Sequence, residues 1–394
     1  MNTERCPLNA KRCMNIVADE NIPFVKECFS SLGDVQTFPG RLITPETAAD
    51  ADCLLVRSIT PVNEKLLAKS NVKFVATATI GFEHVAVDYL NKRGIGFASA
   101  PGSNSNSVAD YLVAALLSVA KKHKITLAGK SIGVVGVGNV GSKVAKKCAA
   151  LGMTVKLNDP PLARQTGDPK YRPLNELFDC DFITLHTPLT REGRDQTFHL
   201  ADEFFFESLK TGCVFVNTCR GGVHDTAALK DAIKSKKLSA VILDVWENEP
   251  NIDCELLRLV DISTPHIAGY SLDGKIAGLI MIYNAARKYF KVEPKHTIAD
   301  FLPPPKVPQI TIDKIDTDEQ SLLNETVRQV YAINRDDFNT REIAMVEPEK
   351  RAKFFDDLRK NYPVRREFQN TTVILKQPSP HLTDMLNGIG FKTK

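Results

Sequence analysis

Apolar positions along the chain follow two periods. Short continuous runs, of the kind a strand buried on both faces shows, alternate with stretches in which apolar side chains recur every three or four positions. From residue 14 the runs MNIVAD (14–19), CLLVRS (53–58), KFVATAT (73–79) and GIGFASA (94–100) are separated by helical stretches near 23–32, 63–69 and 84–92. Strands alternating with helices predict a parallel sheet, and ligands of such sheets sit beyond the carboxyl ends of the strands. Here those ends carry Arg57, Ser58, Thr77 and Thr79, which suit a small anionic ligand or serve as turn and capping residues. Residues 102–123 open with cap candidates and continue with Val108, Tyr111, Leu112, Ala115, Leu116 and Val119 at helical spacing. That predicts a long, largely buried helix, with Asn104 and Asn106 at its entry.

The stretch 131–159 is the centre of the pattern. An apolar run at 131–135 leads into Gly136, Gly138 and Gly141, the G-x-G-x-x-G spacing. A helical pattern (Val140, Val144, Cys148, Leu151) follows, then a second apolar run at 154–157, then Asp159, 18 positions beyond Gly141. Gly136 permits a tight turn, Gly138 a close backbone approach to a pyrophosphate, and Gly141 close packing of helix on strand. A lone glycine spacing is often an ordinary turn; the strand, helix, second strand and acid together predict a dinucleotide site. A carboxylate at 159 repels a 2′-phosphate, and the first cation after it is Arg164, so the expected cofactor is NAD rather than NADP.

Four more runs follow, at 180–188, 212–221, 238–250 and 260–270, and each empties into polar residues: His186 and Thr187, Thr218 and Arg220, Asp244 and Glu249, then His266. A crevice along the carboxyl edge of a doubly wound sheet needs such a series. Taken singly, His186 reads equally as a packed strand-end histidine and Asp244 as a turn cap. A helical stretch at 275–290 precedes FLPPPKVP (301–308), which cannot continue a helix or central strand and marks a boundary. Beyond it, residues 309 to about 390 read as a small α+β unit with no catalytic cluster. Its basic stretch Arg359, Lys360, Arg365 and Arg366 reads as a solvated face, the sharper alternative being reach into a partner's active site.

Composition narrows the classes. A chain of 394 residues, 43% apolar and 25% charged, is an ordinary globular sequence with room for two or three domains, and a net charge of +4 gives no case for nucleic acid. The nine cysteines are scattered without a C-x-x-C pair, which predicts reduced thiols, no metal site and a cytoplasmic protein. No run reaches membrane-spanning length, and residues 1–13 lack a signal-peptide core and are expected to be a disordered extension.

With Arg220, the run DVWENEP (244–250) and HIAG (266–269) in view, the chain resembles the D-isomer-specific 2-hydroxyacid dehydrogenases. The resemblance covers roughly residues 14–290. It implies two doubly wound parallel-sheet domains, Rossmann-like and flavodoxin-like: a discontinuous substrate domain (14–112 with 268–292) and an NAD-binding domain (113–267). The segments MNIVADENIP, CLLVRSIT, KFVATATIGFEHV and HIAGYSLDGK, with the C-terminal unit (293–394), resemble a branch that oxidises a phosphorylated 2-hydroxy acid and dimerises through an added C-terminal domain. Carried over, the resemblance implies Arg220, Glu249 and His266 as the catalytic set. For the cofactor it implies Gly136, Gly138, Asn139, Val140, Gly141, Asp159, Thr187, Asp244 and Gly269. For the substrate it implies Arg57, Ser58, Thr79 and Tyr270.

The residue types suit the reaction. A histidine can take the hydroxyl proton near neutral pH, a carboxylate can orient it, and an arginine can pair with a substrate carboxylate. Read singly, the same three could be a structural arginine, a surface acid and a core histidine. The chain departs from the family at Asn248, His224, Ser103 and Asp110, beside the catalytic set or at the helix entry. Two rival expectations stay open: a dehydrogenase of another D-2-hydroxy acid, such as glycerate, 3-phosphoglycerate or hydroxypyruvate, and an NAD(H)-sensing regulatory binding protein.

Overall fold

The computed structural model describes residues 13–315 and 318–394. The expected disordered extension at 1–13 lies outside the described residues except for Cys13. Two compact units form: the described residues through Asn104 joined by Leu272–Pro303, and Ser105–Ser271 joined by Pro304–Lys394. The chain therefore leaves each unit and returns to it. The crossings fall at 104/105 and 271/272 rather than at the expected 112/113 and 267/268. Residues 293–303, expected in the C-terminal domain, belong to the first unit, where Phe301 is buried in the core and packs against Phe24.

The first unit holds a five-stranded parallel sheet. Its strands are β1 (Met14–Asp19), β2 (Gly33–Phe38), β3 (Cys53–Val56), β4 (Phe74–Thr77) and β5 (Gly96–Ala98), in the order β2-β1-β3-β4-β5. β1, β3 and β4 are almost wholly buried, which is why they read as unbroken apolar runs. β2 was not expected. It pairs only with β1 at the sheet edge, and its sequence GDVQTF is correspondingly polar and mostly only partly buried. The helix Leu272–Phe290 covers one face through Ile276, Leu279, Ile282 and Tyr283.

The second unit carries a six-stranded parallel sheet: β6 (Ser131–Val135), β7 (Thr154–Asn158), β8 (Phe182–Leu185), β9 (Cys213–Asn217), β10 (Leu238–Leu243) and β11 (Ile262–Ser263). The order is β11-β10-β9-β8-β6-β7. The chain runs outward from β6 to β7, then crosses to β8 on the other side, so the order reverses beside β6, where doubly wound sheets bind ligands. Past β7, an isolated bridge joins Leu157 to Tyr171.

The C-terminal part adds three parallel strands in the order β12-β13-β14: β12 (Gln309–Ile312), β13 (Thr372–Leu375) and β14 (Lys392–Thr393). Helices cross between them. One of these, Ile333–Arg341, was not expected from the sequence, where its apolar positions are too few to show a period. The long helix Ser105–His123 is buried along nearly its whole length, with Val119, Leu322, Leu323 and Val327 in one core. A helix apolar all round needs partners all round. The cofactor sheet covers one side and the C-terminal helices the other.

Two polar anchors fasten this arrangement. Lys147, from the helix Asn139–Ala150, pairs with Asp110 and donates to the Ile389 carbonyl at 2.6 Å. The other Asp110 oxygen accepts the Phe368 N–H at 3.0 Å. Glu367, 4% exposed, accepts from Ser107 (2.7 Å), Ser271 (3.1 Å) and Asn106 (2.7 Å). Asn106, a cap candidate in the sequence, thus serves the C-terminal unit. The eight described cysteines are free thiols, and among the described residues no helix is long and apolar enough to cross a membrane.

Candidate active site

The expected cofactor and catalytic residues of the second unit lie along one edge of its sheet, where each strand ends. β7, β6 and β8 deliver most of the cofactor candidates, and β9, β10 and β11 the catalytic ones together with Asp244 and Gly269.

The three motif glycines answer to three different constraints. Gly136 has φ 85°, a conformation that disfavours any side chain, and a Cβ there would lie 2.8 Å from the His186 backbone. A Cβ on Gly141 would lie 1.9 Å from the Gly136 carbonyl. Gly138 has nothing within 4 Å of where its Cβ would be, so the loop is open at this point only. The helix Asn139–Ala150 starts there with no side-chain cap, leaving its first N–H groups, including those of Asn139 and Val140, for a ligand. Asp159 closes β7. Its carboxylate accepts from the Val137 N–H (2.8 Å) and the Leu162 N–H (2.9 Å), so it braces the glycine loop and caps the next helix while keeping lone pairs for a ribose. Arg164 turns away to pair with Asp195. At the end of β8 the Thr187 hydroxyl oxygen is buried without a hydrogen-bond partner, with the Cys219 thiol beside it. An open glycine cradle, an uncapped helix and an orphaned hydroxyl fit a bound dinucleotide. His186, between Thr184 and Thr218, is pushed down to about 3 by desolvation of its ring and stays neutral.

On the catalytic side, His266 Nδ1 meets Glu249 Oε2 at 2.8 Å, and the Trp246 N–H donates to Glu249 Oε1 at 2.8 Å. Burial works against ionising Glu249, but the charge and hydrogen bond of His266, the Trp246 N–H and the Arg359 charge outweigh it and hold the carboxyl below its ordinary range. Arg220 stands at the end of β9 and donates to its own Cys219 carbonyl at 2.8 Å. The next residue, Gly221, has no room for a side chain, because a Cβ would lie 1.9 Å from the Trp246 carbonyl. The loops bearing Arg220 and Glu249 are pressed together at that glycine.

Asp244, expected near the cofactor, is 1% exposed, and its carboxylate accepts from Thr264 Oγ1 (2.6 Å), Ile267 N (2.8 Å) and Ala268 N (2.9 Å). It ties the β11 loop in place. His266 itself adopts φ 58°, uncommon for a side-chain-bearing residue, so its position depends on those ties. Buried residues that the sequence did not mark as part of the site complete the support: Tyr111 bonds Thr264 (2.7 Å), and Asn217 bonds both the Arg220 carbonyl (3.0 Å) and His224 (2.9 Å). Gly269 and Tyr270 follow on the same loop, and the Tyr270 hydroxyl accepts from Arg359 at 3.1 Å. That arginine corrects the sequence reading of a solvated basic face. Arg359, Arg365 and Arg366 turn inward onto their own chain, and Lys360 alone of the four is exposed.

Of the expected substrate residues, Arg57, Ser58 and Thr79 belong to the first unit. Arg57 donates to the Asn21 carbonyl at 3.0 Å, Ser58 is exposed, and Thr79 bonds Thr77 (2.7 Å) and the Gly81 carbonyl (2.8 Å).

Residues 111–268 match the family described as D-isomer specific 2-hydroxyacid dehydrogenase, NAD binding domain, and residues 301–390 match a domain of unknown function, DUF3410. Erythronate-4-phosphate dehydrogenase of Cronobacter sakazakii is 44% identical over 361 residues, 91% of this chain and 94% of that protein. The Hahella chejuensis protein of the same name is 41% identical over 378 residues, 96% of this chain and 99% of its own. Among solved structures, D-lactate dehydrogenase from Aquifex aeolicus, complexed with NAD and lactic acid, superposes with a TM-score of 0.56 at 27% identity, covering 70% of this chain and 95% of that one. A glyoxylate reductase from Paecilomyes thermophila gives 0.59 at 26%, covering 71% and 96%. With such identity across nearly the full length of its relatives, the chain belongs to the erythronate-4-phosphate dehydrogenase family, a branch of the D-isomer specific 2-hydroxyacid dehydrogenases that carries their NAD-binding domain.

Proposed function

We propose that this protein oxidises 4-phospho-D-erythronate to (R)-3-hydroxy-2-oxo-4-phosphooxybutanoate with NAD, a step toward pyridoxal 5′-phosphate, and works as a cytoplasmic homodimer. The observation that carries the chemistry is the Glu249–His266 pair at 2.8 Å. The names of its relatives support the substrate.

Glu249 occupies Nδ1 of the imidazole, which leaves Nε2 as the nitrogen able to take the substrate hydroxyl proton. When bound, NAD accepts the hydride released from C2. Arg220 pairs with the substrate carboxylate and favours the negative charge that gathers on the forming carbonyl oxygen. Asp159 receives the adenosine ribose, Gly138 and the N–H groups of Asn139 and Val140 take the pyrophosphate, and Thr187 and Gly269 line the crevice. Asp244 holds the loop on which His266 rides, and one of its lone pairs can still accept an amide N–H. Arg57, Ser58 and Thr79 are the proposed substrate contacts of the first unit, and Tyr270 that of the second.

The test is NAD reduction with 4-phospho-D-erythronate beside D-glycerate and 3-phospho-D-glycerate, with a 2-oxo acid acceptor present. Turnover selective for the four-carbon phosphate and lost in His266→Ala is expected. Turnover confined to the three-carbon acids would overturn the substrate, and tight NADH binding without any turnover would favour a sensor. Light scattering should give twice the chain's mass.

A further inference from the structure

The loop that follows the catalytic histidine is held by the C-terminal unit. Arg365, 6% exposed and stacked 4.3 Å from the Tyr331 ring, donates to the Ala268 carbonyl. Arg359 donates to the Tyr270 hydroxyl at 3.1 Å and lies over that ring at 5.8 Å. Glu367 accepts from Ser271, and Ser271 forms a backbone bridge with Arg365. A unit needed only for assembly has no reason to bind the loop that carries His266 and Tyr270.

Arg359 is the telling contact. It sits in the last turn of the helix Pro348–Lys360, where a cation suits the helix dipole and could be left in solvent. Instead its side chain is 21% exposed, its carboxylate partner on the helix, Asp356, is 4.0 Å away, and its Nε is buried without a partner. Drawing a guanidinium inward with incomplete hydrogen bonding is costly unless an opposite charge compensates. The compensating charges near enough to act on it are Glu249 and Asp356, and the Tyr270 hydroxyl accepts its hydrogen bond. Facing Glu249 in turn are His266, Arg359 and, from the β9 loop, His224.

We propose that Arg359 is a positioning residue for the dehydrogenation: from the C-terminal unit it fixes Tyr270 and, by its charge, keeps the Glu249–His266 pair ready to accept a proton. This rests on the catalytic reading of that pair. It assigns to the C-terminal unit a part in the reaction of its own chain. The sign of its effect follows from Coulomb's law. A cation facing a carboxylate–imidazole pair favours the deprotonated pair, so its removal makes the pair hold its proton to higher pH.

The experiment compares the full-length wild type with Arg359→Gln and Arg359→Lys, following NAD reduction by 4-phospho-D-erythronate across pH, NADH binding by fluorescence, and melting temperature. Arg359→Gln is expected to lower kcat about tenfold and to move the acid limb of the rate profile up by about half a pH unit, with NADH affinity unchanged within about twofold. Lysine restores a charge but not the planar fork, so the limb returns only part of the way to the wild-type pH. A folded Arg359→Gln with an unmoved limb, or one that mainly loses NADH affinity, would overturn the proposal.

If the glutamine variant does not fold, Arg359→Lys is read against Glu249→Gln. A lysine ammonium cannot hold Tyr270 and face Glu249 as the planar fork does, so a severalfold loss of kcat is expected, and that loss should vanish when Glu249 is already Gln. Additive losses would sink the idea. A wild type inactive with all three acids condemns the proposed function, whereas an active wild type with an unmoved limb condemns only this inference.

Discussion

Glu249 does two things at once: it fixes which imidazole nitrogen of His266 is free, and it compensates the charge that arises there when the proton arrives. Glu249→Gln keeps the shape and removes the charge, so kcat should fall about 10²-fold or more while NADH binding is retained, measured by steady-state rates and fluorescence titration. His224 carries a different consequence. It is fully buried, with Nδ1 bound to Asn217 and Nε2 without a partner, and burial pushes it down to about 4 from 6.5. A base depressed in the folded state contributes stability that is complete above about 6.5 and is lost as pH falls toward about 4. Melting temperature should therefore decline over that window, and His224→Asn should decline less steeply than wild type whatever its stability at pH 8. Equal slopes would rule out His224 as the cause.

At the scale of elements, the glycine turn between β6 and the helix Asn139–Ala150 separates binding from folding. A methyl on Gly138 meets no protein atom, so Gly138→Ala should melt with wild type yet bind NADH at least about tenfold more weakly, because the methyl enters the pyrophosphate cradle. A methyl on Gly141 collides with the Gly136 carbonyl, and Gly141→Ala should cost about 2 kcal/mol of stability in denaturant titrations. Equal melting losses in the two variants would contradict this division. The turn was legible in the sequence because local spacing determines it. β2 was not, because an edge strand with one neighbour and a wet face needs no apolar run. The β11 loop was legible only in part. His266 could be picked out, but not the three bonds to Asp244 that hold it at φ 58°.

At the scale of the whole molecule, the C-terminal unit is packed into the cofactor-binding unit rather than appended to it. Lys147→Met would strand Asp110, whose carboxyl burial already raises to about 6, next to the C-terminal helix end that Lys147 also holds. The loss expected is about 3 kcal/mol, seen as a lowered denaturation midpoint. Deleting Pro304–Lys394 uncovers Val119 and its neighbours on a helix apolar all round. The shortened chain is expected to aggregate on expression, and a soluble, active monomer would show that the packing is dispensable.

The sequence alone determined what depends on neighbours along the chain. The strand and helix alternation gave parallel sheets, and the G-x-G-x-x-G turn with Asp159 gave the dinucleotide site. The order of strand ends placed Arg220, Glu249 and His266 along one sheet edge. What only the tertiary structure decided is which charges turn inward. Arg359, Arg365 and Glu367 sit in polar stretches whose local pattern is that of a solvated surface. They are drawn in because folding brings opposite charges and unpaired backbone groups from residues 106–110 and 249–271 against them. A period of 3.6 or 2 encodes apolar burial, whereas the burial of a charge is encoded by a partner as much as 261 residues away.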